Sequence, residues 1–245
     1  MTDLMIILPI FLLAGLVKGV AGFGLPTVSI ALLALVRPLP EAMALMLVPS
    51  IATNLWQAFA GGQLRVVAPR LGLFLACAAV ATFAAAGVLA RADALVLSGL
   101  LGVVLVASAA LALAAPGLPV PAPRTERWLG PVMGLASGAI AGLTGSFLVP
   151  AAQWLQAIRL PREQFVQGFG LGVVAAHGAL AAALAGGGML PAGVGLASVA
   201  GVLPAFAGME AGRWLRSRLD EAAFRRVVQV ALGVLGAWLV VRAFG

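Results

Sequence analysis

The sequence predicts an all-α, polytopic membrane helical bundle of about eight spans, built from two homologous halves with interrupted first helices. Three observations carry this reading. Hydrophobic residues make up 62% of the 245-residue chain and charged residues only 9%, where a soluble domain carries about a quarter charged residues. Apolar runs of spanning length recur between short charged loops, as membrane helices require. The 31 glycines suit the close helix–helix approach that lipid favours.

Span 1 is the apolar run from Leu4 to about Val36, interrupted near Gly19–Pro26, where glycines and a proline are poor material for a continuous helix. Arg37-Pro38-Leu39-Pro40-Glu41 is a loop signal. Span 2 runs from Ala42 to Ala60, span 3 from Leu71 to Ala90 after a loop bracketed by Arg65 and Arg70, and span 4 from Ala94 to Ala115. Arg91 and Asp93 close span 3. A proline-rich linker over 116–127 separates a first half, 1–115, from a second, 128–245. Span 5, Trp128 to Ile158, is again overlong and interrupted. Two spans fill the interval from Glu163 to Glu210, which holds no formal charge; they turn at Gly186–Pro191, and the second ends near Gly212. Span 8 covers Ala222 to Val241. Met1-Thr2-Asp3 lacks a basic n-region, so the first run is expected to be retained as a span.

The halves repeat one another. Gly15-x3-Gly19-x2-Gly22 recurs as Gly138-x3-Gly142-x2-Gly145, each followed by a proline, Pro26 or Pro150, and then by a short Leu-Pro loop. Asn54 and His177 fall mid-span at the offset that relates the glycines. Paired interrupted spans point to a transporter's binding site. An even number of crossings per half makes the repeats parallel; an odd number, as when an interrupted segment re-enters, makes them inverted. Hydropathy leaves both open. With eight simple crossings, the arginines from Arg213 to Arg226 place that loop in the cytoplasm and both termini outside.

The candidate binding residues follow from cost and geometry. Lys18 is a cation deep in an apolar run, expensive unless it serves a solute path. Gly19, Gly22 and Gly24 break the helix beside it and free backbone groups that lipid cannot satisfy. Ser50, Thr53, Asn54 and Gln57 recur at i, i+3, i+4 and i+7, one face of span 2, just after Pro49, which frees a carbonyl. Gly142, Thr144, Gly145 and Ser146 form the second break, where Ala141 matches Lys18 and supplies no charge. His177, the single histidine, joins the substrate set and is a proton-coupling candidate. Ser137, Gln153 and Gln167 are weaker candidates, and Glu210 with Arg213 reads as a local ion pair.

Several function classes are excluded. The net charge of +7 resides in arginines at span ends, which control topology and leave no basic surface for nucleic acid. Cys77 is the one cysteine, so neither a disulfide nor a thiolate metal site is expected. No catalytic constellation appears, and no metal or cofactor is expected. The expected partners are a small anionic substrate and the lipid bilayer; self-association into a homo-oligomer stays open.

The chain resembles the sulfite exporter TauE/SafE family. The resemblance rests on AGLVKGVAGFGLPTVSIALLAL (14–35), PLPEAMALMLVPSIATNLWQAF (38–59), GLASGAIAGLTGSFLVPAAQWLQAI (134–158) and LPREQFVQGFGLG (160–172). It implies a bundle of seven or eight spans, multi-pass in the bacterial inner membrane. It also implies outward movement of sulfite, sulfonates or related organic anions, with the glycine segments of both halves facing the path. Family members often carry a second segment closer to Gly-x-Gly-Gly-Gly; Gly145-Ser146-Phe147 departs from it. The working expectation is alternating access around a midplane site. Its rivals are an anion channel and an importer of the same solutes coupled to an ion gradient.

Overall fold

The computed structural model describes residues 2–89, 92–114, 120–190 and 192–245, and every regular element among them is a helix. The first apolar run makes α1 (Thr2–Ala21) and α2 (Leu25–Leu33). The break falls where Gly22 (φ 85°) and Gly24 (φ 102°) adopt left-handed backbone, a conformation glycine reaches without a Cβ clash. Pro26, in the first turn of α2, has no N–H to continue the ladder of α1. There follow α3 (Leu39–Ala60), α4 (Leu64–Leu89), α5 (Ala94–Ala114) and α6 (Pro123–Thr144). Gly145, at φ 73°, ends α6. The chain continues through α7 (Ala151–Ala157), α8 (Arg162–Gly186), α9 (Ala192–Ala200), α10 (Val202–Arg216) and α11 (Glu221–Phe244). The Asp220 side chain caps α11, accepting from the backbone N–H of Ala222 and Ala223.

Seven stretches among the described residues are long and apolar enough to cross a membrane: α1 from Leu4, α3, α4, α5, α8, α9 with α10, and α11. The α6 helix is as long as α3, but its first turns hold Arg124, Glu126 and Arg127.

Helices outrun their expected limits at the charged ends. Arg65 and Arg70 lie on α4 rather than in a loop, α6 takes up Pro123–Arg127 of the expected linker, and α10 continues past Gly212 to Arg216. Arginine stems keep a helix end compatible with the headgroup layer, so charge marks where apolar surface stops and not where the helix stops. Linker residues 116–119, Arg91 and the turn residue Pro191 lie outside the described residues. Span 7 is divided into α9 and α10 at Gly201. Pro204, one turn on, cannot donate to the carbonyl of Ala200 and crowds it.

Side-chain register gives the helix directions. Lys18 meets Thr53 and Gly22 meets Gln57 at the same separation of 35 residues, so α1 and α3 run parallel. The connecting α2 must therefore run back, and α1–α2 is a hairpin turning inside the bundle. In contrast, α3 and α8 are antiparallel: Ser50 faces His177, and Ala58 faces Gln167. The pair α5 and α11 is also antiparallel, with Gly102 against Gly236 and Gly99 against Phe244. Parallel contacts join α1 to α10, where Gly15 and Gly19 lie on the backbone of Ala205 and Met209, and α4 to α6, where Gly138 and Gly142 lie on Ala78 and Thr82. At both contacts a Cβ would strike backbone, which explains the spacing of small residues.

One end of the bundle gathers the arginines. Arg70 pairs with Glu126 at 2.8 Å, Arg162 with Glu221 at 2.8 Å, and Arg216 with the same Glu221 at 3.5 Å. The first pair ties the start of α4 to that of α6, and the other two tie the starts of α8 and α11 to the end of α10. Arg37, paired with Glu41, and Arg242 sit at the other end.

Candidate functional site

Lys18 lies in the last turn of α1 and is 2% exposed. Its Nζ donates to Thr53 Oγ1 at 3.2 Å. Among the described residues no carboxylate pairs with it. Thr53 donates in turn to the carbonyl of Pro49 at 2.8 Å, leaving its lone pairs for the ammonium. Such a charge is costly to bury unless something of opposite sign visits it.

The α3 spacing brings Ser50, Thr53 and Asn54 onto one buried face. Asn54 Nδ2 donates to the Ser50 carbonyl at 2.7 Å, and Ser50 Oγ lies 2.8 Å from His177 Nδ1. His177 Nε2 is 3.2 Å from the carbonyl of Gly145. A carbonyl only accepts, so Nε2 donates here, while Nδ1 faces a Ser50 hydroxyl that can either donate or accept. The imidazole satisfies a carbonyl freed by the second break.

The two breaks meet. Thr27 Oγ1, in α2, is 3.1 Å from Ser146 Oγ, in the α6–α7 connection. Thr144 Oγ1 accepts from the Ser146 N–H at 3.2 Å and donates to the Ile140 carbonyl at 2.7 Å. Phe23 from the first break and Phe147 from the second flank Phe169, with ring centroids 5.6 Å and 6.0 Å away. Every polar member of the cluster is buried.

The remaining expected residues take other positions. Gln57 Nε2 spans the carbonyls of Gly22 (3.0 Å) and Val166 (2.6 Å), tying the first break to the start of α8. Gly22 and Gly24 shape the turn itself. Gly19 and Gly142 face the backbones of α10 and α4. Ser137 donates to the Met133 carbonyl within its own helix, and Glu210 pairs with Arg213 as the three-residue spacing suggests. Gln167 donates to the Ala58 carbonyl and accepts from the Gln63 N–H, closing off the end of α3.

Two residues escaped sequence reasoning. Thr27 follows Pro26 directly and was hidden among the hydroxyl residues of an apolar run. Ser198, in α9, donates at 2.7 Å to the Leu45 carbonyl, the group that Pro49 leaves without a helical partner. A proline inside a span signals a carbonyl needing a donor, but not which helix supplies it.

One cation, several hydroxyls and amides, and no carboxylate suit an oxyanion. No cluster of metal-ligating side chains occurs among the described residues. A family model described as "Sulfite exporter TauE/SafE" matches residues 7–239. The chain belongs to the TauE/SafE family. That match runs from α1 to α11, so both breaks of this TauE/SafE chain and Lys18 lie inside it. TauE/SafE proteins are membrane transporters of sulfite-type anions rather than enzymes. The chain matches none of the curated proteins and none of the solved structures compared with it.

Proposed function

We propose that this TauE/SafE chain is a secondary transporter that exports sulfite, sulfonates or related small organic anions by alternating access. The observation that carries the reading is Lys18: a buried ammonium held by Thr53, with no carboxylate partner among the described residues, beside two breaks that meet at Thr27 and Ser146. The anion would sit among Lys18, Ser50, Thr53, Asn54, Thr144, Gly145 and Ser146. The N-terminal amides of α2 add partial positive charge there. Burial of the whole set fits an occluded state, in which solute enters only when helices move. His177 would gain a proton as Ser50 turns toward the substrate, coupling the two.

Two related halves in inverted orientation explain the contact pattern. Under one sequence offset α1 corresponds to α6, α2 to α7, α3 to α8, α4 to α9–α10 and α5 to α11. Exchange of the halves converts the α1–α10 contact into the α6–α4 contact and maps the antiparallel pairs α3–α8 and α5–α11 onto themselves. With α1–α2 and α6–α7 as re-entrant hairpins, each half crosses an odd number of times. The positive-inside rule then puts the arginine-rich end in the cytoplasm and both termini outside, in a bacterial inner membrane.

The test is counterflow in proteoliposomes. Radiolabelled sulfite should accumulate transiently against unlabelled sulfite and saturate with concentration. Ohmic flux indifferent to solute on the far side would replace the transporter with a channel, and absence of any anion flux would end the proposal.

A further inference from the structure

On the arginine-rich end, three hollows share walls and lead toward the first break. The first, about 470 Å³, is lined by Phe23, Gln156, Arg159, Arg162, Arg225 and the carboxylate of Glu221. The second, about 260 Å³, adds Ser108, Gln153 and Gln229 to Gln156, Arg159, Arg225 and Phe23. The third, about 20 Å³, touches Val17, the residue before Lys18, and again Phe23 and Arg225.

Two of the arginines here are not spent on a carboxylate. Arg162 is paired with Glu221, whereas among the described residues Arg159 and Arg225 form no ion pair. The side-chain oxygens of Gln153 and Gln229 are buried without a partner. These amides can accept from a solute or, turned over, donate to it. Arg159 is held at φ 51°, a left-handed conformation that non-glycine residues seldom occupy and that recurs at ligand sites.

Phe23 closes the funnel. It sits between two left-handed glycines, packs on Phe165 and Phe169, and lies under the Arg225 guanidinium at 5.3 Å from the ring centroid. A cation over a ring is held more weakly than a guanidinium bound to an oxyanion.

We propose that this funnel is a capture site for small oxyanions, with Arg159 and Arg225 binding the charge, and that Arg225 latches Phe23 until an anion draws the guanidinium away. The capture site deepens the transport reading by adding a first binding station on the arginine-rich side, distinct from the buried set around Lys18.

Equilibrium binding of radiolabelled sulfite to the purified full chain tests capture without requiring transport. Arg159→Gln/Arg225→Gln should weaken binding by about tenfold or more, the scale of one lost charge-assisted hydrogen bond. The matching lysine double variant should recover part of it. Equal binding by wild type and the glutamine variant, or no binding by wild type, overturns the capture site. Failure of counterflow with binding intact counts against transport alone. For the latch, a cysteine at Val17 in a Cys77→Ser background should react severalfold faster with maleimide once Arg225→Gln is added. An unchanged rate overturns the latch.

Discussion

Ser50 Oγ lies 2.8 Å from Nδ1 of His177, joining the middles of two antiparallel helices that are 127 residues apart in sequence. Asn54, the residue registered with His177 by the repeat, instead hydrogen-bonds the Ser50 carbonyl. An antiparallel crossing brings the sequence counterparts of opposite halves past one another, so contact falls one turn away. Ser50→Ala and His177→Ala should therefore be non-additive, with a coupling of about 1 kcal/mol, the upper range for such bonds in membranes. Thermal unfolding in detergent, read as a double-mutant cycle, measures it. Additive losses would mean that the two side chains do not share a bond in solution.

Lys18→Met separates the cost of a charge from its use. Methionine keeps a flexible chain of similar length and removes an ammonium buried without a carboxylate partner. The variant should unfold at the same temperature or higher, because the desolvation penalty disappears. Its anion flux in proteoliposomes should fall below detection. A variant with lowered stability and normal flux would assign Lys18 to the scaffold.

Pro49 and Ser198 form a second testable pair. Ser198→Ala should cost about 1 kcal/mol by leaving the Leu45 carbonyl without a donor. In a Pro49→Ala background the restored backbone N–H takes over that carbonyl, and the cost should vanish. An equal loss in both backgrounds would show that the serine acts by packing alone.

The α1–α2 hairpin makes a topological prediction. Single cysteines at Thr2 and Val36, in a Cys77→Ser background, should label from the same side of intact cells with a membrane-impermeant maleimide. A cysteine at Arg218 should label only after the membrane is opened. Labelling of Thr2 and Val36 from opposite sides would turn the interrupted segment into one simple crossing.

Much of this molecule was legible in the chain itself. Apolar length marks which segments are long enough to cross a membrane, and Gly22, Gly24 and Gly145 mark the breaks, because glycine takes up left-handed backbone without a Cβ clash. The i, i+3, i+4 pattern placed Ser50, Thr53 and Asn54 on one face, and hydropathy singled out Lys18 by its cost. Both are properties of a residue and its near neighbours. Only the tertiary structure decided that α2 turns back, that Ser50 rather than Asn54 meets His177, that Ser198 serves Leu45, and that Arg159, Arg225 and Gln229 line one funnel with Phe23 at its base. Each depends on how helices far apart in sequence cross, and a break in hydrogen bonding is the same whether the chain then goes on or returns. The direction is set by which partner buries the apolar faces and answers the freed carbonyls, information that no single segment contains.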